Sequence, residues 1–169
     1  IIAFGTAWHH HLTWIGLALL VTPILRIFKS WIKLYSKDIF RIHGAAPALA
    51  VALCGYVIAL IIGSIHAYHQ SQFNPIATFI IAFLMPLVTG AVSFLLPLWL
   101  RPGQQTPWHL AARKNLGFSG GLRALILMTG GIMVGLGYEP GWYFSVFAIG
   151  TFAIQTLALF IYKPNIQAQ

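Results

Sequence analysis

From Pro75 to Leu100 the chain runs for 26 residues without a charged side chain, and four further apolar stretches flank that run. A helix of about 20 apolar residues crosses the hydrocarbon core of a bilayer. A chain built this way has few alternatives to spanning a membrane. Its composition agrees, with 59% hydrophobic and 7% charged residues, where a soluble domain carries roughly a quarter charged residues. The expected fold is all-α: a single polytopic transmembrane helical bundle over residues 1–169. Hydropathy and helix breakers place five spans at His11 to Phe28, Gly44 to His66, Pro75 to Leu100, Gly121 to Tyr138 and Gly141 to Tyr162.

Charge orients the bundle. Lys29, Lys33, Lys37 and Arg41 fall in the first connection, and Arg101, Arg113 and Lys114 fall in the third. Arg26, Arg123 and Lys163 flank span ends on the same side, so all ten Lys and Arg residues collect on one face. Basic residues resist translocation, which predicts N-terminus out and C-terminus in, across a bacterial inner membrane. The net charge of +8 is then a basic rim on anionic lipid and calls for no nucleic acid. Trp8, Trp14, Tyr68, Tyr138, Trp142 and Tyr143 form an expected outer aromatic belt; Trp31, Tyr35, Trp99, Trp108 and Tyr162 form an inner one. Within the spans, Pro23, Pro86 and Pro97 are expected to kink helices, and Cys54 to be a buried packing residue. Gly131 and Gly135, one turn apart, form a small-residue surface for another helix or a second copy of the chain. Gln155, Thr89, Tyr56 and Thr129 are the polar groups expected at membrane depth.

The histidines follow the same division. The run "AWHHHLTW" puts His9, His10 and His11 at the outer end of the first span, and His66 and His69 close the second. Histidines three apart share a helix face. Neutral imidazoles from two rigid helices are what a haem, or a copper or zinc ion, requires. His10, His11, His66 and His69 are therefore the candidate haem b ligands, with copper on His9, His10, His66 and His69 as the alternative. His43 and His109 form a possible inner pair. The sequence contains two acids, Asp38 and Glu139, too few for calcium, magnesium or di-iron carboxylate chemistry. It shows no nucleophile motif and no phosphate-binding glycine loop.

The stretch "FLMPLVTGAVSFLLPLWLRPGQ", Phe83 to Gln104, resembles the end of the second span of haem-copper oxidase subunit I and of the related NnrS-type membrane haem proteins. Met85-Pro86, Thr89-Gly90 and Leu96-Pro97 carry the resemblance. It implies a membrane haem protein, with a ligand histidine expected near Pro75; His69 is the nearest one present. The functions weighed are a haem b or copper protein for electron transfer or gas and metal handling, a non-catalytic accessory subunit of a larger, respiratory-type membrane complex, and a small-solute transporter. Lipid and other membrane subunits are the expected partners.

Overall fold

The computed structural model describes residues 10–39, 44–69 and 72–161. Six helices follow in order: α1 (His10–Ile39), α2 (Ala45–His69), α3 (Pro75–Leu100), α4 (Pro107–Leu116), α5 (Gly120–Gly135) and α6 (Pro140–Ile161). No strand occurs among these residues. Five segments are long and apolar enough to cross a membrane, the fourth being α4 and α5 together as Pro107–Gly135. The chain is an integral membrane protein.

Local chemistry fixes the helix ends. Asn74 accepts a hydrogen bond from the Ala77 N–H at 3.0 Å ahead of Pro75, capping α3 where its first amides lack helical partners. Gly137, at φ +88°, turns the chain out of α5. Within α3, the residues Phe79–Leu84 form a π turn, closed by a bond from the Met85 N–H to the Ile80 carbonyl. Pro86 follows directly; it has no N–H for the Ala82 carbonyl, and its ring crowds that carbonyl in a regular helix. One wider turn relieves the crowding. Of the expected kinks, only this one coincides with a change of helix type. The break in α1 lies at Tyr35 (φ −125°, ψ 24°), not at Pro23.

The bundle is assembled on small residues, because lipid tails compete for any merely apolar contact and close backbone approach does not depend on that contrast. Gly55 of α2 lies directly on the Ala82 carbonyl of α3, and Gly131 of α5 meets the same residue at its nitrogen and Cβ. Gly135 lies against Thr78, and Gly130 against Ser145 and the Gly141 carbonyl of α6. Gly131 and Gly135 are thus occupied by α3 of the same chain, which removes them as a surface for self-association. Two backbone bonds tie segments distant in sequence: Gly44 N–H to the Gly117 carbonyl and Asn74 N–H to the Gly135 carbonyl, both 2.8 Å. They clamp the two ends of α5.

Several expectations need correction. The first connection is mostly helix: α1 continues past Phe28 to Ile39. Ile24, Leu25 and Phe28 pack near Leu53, Cys54, Val57 and Ile58, and Trp14 contacts Tyr68 at 6.1 Å, so α1 and α2 run antiparallel. Farther along, Trp31, Tyr35 and Asp38 line a cavity with Gly44 to Pro47. Lys29, Lys33 and Lys37 are therefore part of α1, level with the first turns of α2, and not in a loop beyond it. Cys54 is exposed at the α1–α2 groove instead of buried. Trp108 is no belt residue: it is buried beneath Arg101, whose guanidinium carbon lies 4.3 Å from the ring centroid. Trp99, Trp142 and Tyr143 are exposed as belt residues would be.

Candidate functional site

The histidine end is the first place to look. His9 and His43 lie outside the described residues, as do the side chains of His10 and His11, which open α1. His66 and His69 occupy the last turn of α2. At 100° per residue, the face of α2 that meets α1 carries Leu53, Val57 and Tyr68, and His66 sits about 150° round from it. His66 shares the face of Gly55, Ala59 and Ile62, which turns toward α3. Its Nδ1 is buried with no hydrogen-bond partner among the described residues. His69 is exposed, its ring packed edge-on against Tyr68 at 4.8 Å. Among the described residues no three His, Cys, Asp or Glu side chains come together as metal ligands would.

His109 has a different role from the one expected of a loop ligand. It is the third residue of α4, 1% exposed. Its Nδ1 lies 3.0 Å from the Thr106 N–H and 2.9 Å from Thr106 Oγ1, and its Nε2 lies 2.8 Å from the Arg101 carbonyl. A carbonyl accepts only, so Nε2–H donates and Nδ1 accepts. Both nitrogens are used to close a capping box and to pin the α3–α4 connection. Neither is left for a metal. His109→Ala is expected to cost about 1–2 kcal/mol, read as a lower thermal midpoint in detergent and faster amide exchange across Thr106 to Leu116.

The most elaborate polar arrangement lies at the break in the fourth span. α4 ends at Leu116, Ser119 takes a left-handed conformation (φ 54°, ψ 25°), and α5 begins at Gly120. Glycines allow the break to sit tight against the start of α2: a Cβ on Gly117 would lie 3.0 Å from the Gly44 Cα, and one on Gly120 2.5 Å from the Gly44 carbonyl oxygen. Arg123, in the first turn of α5, is 4% exposed. Its Nη1 donates to Gln155 Oε1 at 2.7 Å and its Nη2 to the Leu116 carbonyl at 3.4 Å. Its guanidinium carbon lies 4.5 Å from the centroid of the Phe152 ring. Ser93 of α3 also donates to the Leu116 carbonyl, at 3.3 Å, and Gln155 Nε2 donates to the Phe118 carbonyl at 3.4 Å. The carbonyls freed where α4 stops are thus satisfied by side chains of α3, α5 and α6.

Arg123 was legible as a lone cation just inside an apolar run. Its pairing with Gln155, 32 residues away, has no local signal, since Gln155 reads from the sequence only as a polar group at membrane depth. The other groups recognised there bond their own helices: Thr89 to the Pro86 carbonyl, Thr129 to those of Leu125 and Ile126. Tyr56 packs on Phe79 and Phe83. No family model, curated protein or solved structure matches the chain.

Proposed function

We propose that the chain is a non-catalytic helical subunit of a larger assembly in a bacterial inner membrane, N-terminus out and C-terminus in. One observation carries this reading. Arg26, Lys29, Lys33 and Lys37 recur at helical spacing on α1 and lie on the side away from α2. That face continues toward the histidine end through Leu19 and Ile15, both more than half exposed. α1 packs almost only along α2, so among the described residues four cations on a span-length helix have no companion. Charge at membrane depth is costly unless paired or snorkelled to the headgroups. An acidic strip on a neighbouring subunit meets that need. The orientation rests on the basic residues sharing one end.

A photo-crosslinking residue at Ile15 or Leu19, introduced into the full chain in native membranes, is expected to yield a discrete protein adduct. Lipid adducts alone would sink the proposal.

A second reading is a haem b or copper site at the histidine end, favoured by the buried, unpartnered Nδ1 of His66. It predicts a Soret band or bound copper in protein purified from haem- and copper-replete cells, lost in His66→Ala. A colourless, metal-free preparation excludes it.

A further inference from the structure

Beside the break in the fourth span, a cavity of about 210 Å³ lies between α5 and α6. Its polar wall includes Arg123 and Gln155; its apolar wall includes Leu122, Ile126 and Phe147. Leu122 and Phe147 are 53% and 62% exposed, so the cavity opens sideways onto the surface that faces lipid. Arg123 brings a full positive charge to it, and its Nε is buried with no hydrogen-bond partner among the described residues. Among the described residues its neighbours include a neutral amide, a neutral carbonyl and a ring face. Glu139, one of the two acids in the sequence, lies past the far end of α5. The other, Asp38, lines a separate cavity against α2.

A buried guanidinium with no counter-ion among the described residues is an expensive arrangement. A fixed fork of N–H donors suits a phosphate or carboxylate. The greasy wall adjoining it suits the acyl chains of the molecule that carries the acid. Arg113 and Lys114, with Phe118, line an adjacent cavity of about 310 Å³, which adds positive potential on the approach. Basic pockets between spans on the inner side of a membrane hold anionic headgroups in the same manner.

We propose that the cavity beside Arg123 binds the phosphate of an anionic phospholipid drawn from the leaflet at the basic end, its acyl chains along Leu122, Ile126 and Phe147. The site is independent of the partner surface on α1.

The test is native mass spectrometry of the full chain in neutral detergent with added phosphatidylglycerol or phosphatidylcholine. Phosphatidylglycerol is expected to be retained at least tenfold more than phosphatidylcholine, and Arg123→Gln to remove the difference. Leu122→Trp obstructs the mouth of the cavity without touching Arg123, and is expected to lose the adduct while keeping its helical signal and thermal midpoint. It therefore reads the site even if Arg123→Gln does not fold. Equal retention of the two lipids, or a phosphatidylglycerol adduct that survives both substitutions, overturns the proposal. Complete displacement by millimolar inorganic phosphate overturns the lipid as the source, in favour of a soluble anion. A carboxylate of a neighbouring subunit found at position 122 by crosslinking, with no lipid adduct, overturns it as well.

Discussion

Gly55→Leu is expected to abolish recovery of folded, monodisperse protein. The new side chain would start on top of the Ala82 carbonyl, and backbone cannot turn aside as a flexible side chain can. Moving α3 away would also break its close approach to α5, where a Cβ on Gly131 would lie 2.6 Å from the Ala82 nitrogen. Separating the three helices would also forfeit the contacts of Ala77, Ile81 and Leu127 in the core. Overpacking of a well-filled interior commonly costs about 1–3 kcal/mol, and a side chain forced onto backbone where three helices meet belongs at or above about 4 kcal/mol. That is a large share of the roughly 5–15 kcal/mol that holds a typical protein folded. Gly150→Leu is the control: nothing lies within 4 Å of a Cβ there, and its yield and thermal midpoint are expected to match the parent. Equal recovery of both variants would contradict the packing described.

Reversing the charge on α1 has the second large effect. With Lys29, Lys33 and Lys37 all changed to Glu, a face that meets an acidic partner becomes one that repels it, and like charges set against each other cost several kcal/mol. Recovery of the intact assembly is expected to fall at least tenfold. The corresponding Gln triple variant removes attraction without adding repulsion, and is expected to fall between. Insertion is followed separately by an impermeant maleimide on a cysteine placed at Gln72 in a Cys54→Ser background. Labelling from outside that persists while assembly is lost separates a failed interface from a misinserted hairpin. An undiminished assembly in the Glu variant would remove the basis of the partner surface.

Hydropathy located α2 and α3 within a few residues because nearly every position there is apolar, whichever way it faces. It stopped α1 about three turns early. Lysine every fourth residue from Lys29 to Lys37 lowers the local average while leaving the helix intact, since straight-chain lysine is a good helix former and hydropathy measures solvent preference only. The same blindness turned α4 into a loop. Its start was written in Thr106-Pro107 with His109 three residues after the cap, a histidine variant of a familiar box; its average polarity hid that pattern. The buried face of α4, Trp108, Ala112 and Leu116, packs with Leu159 of α6, a pairing that no local window contains. The site at Arg123 suffers the same limit, since its partners come from α3, the end of α4 and α6. Of the histidine site, the sequence placed His66 and His69 on one stretch of helix correctly. Which way that stretch is rotated depends on where α3 packs, and that turned His66 away from α1.

The π turn in α3 also bears on chain length. A helix with one wide turn contains one residue more than the same rise of regular α-helix requires, so Phe79–Leu84 is the stretch of α3 that could lose a residue while leaving the flanking segments facing their present neighbours. Between the wide turn and Gly90 a single deletion would swing everything beyond it by about 100° and carry Gly90 off α2. Closing the wide turn would, however, bring the Pro86 ring back onto the Ala82 carbonyl. In descendants or relatives of this sequence, a one-residue gap in that stretch and the loss of proline at position 86 should therefore occur together.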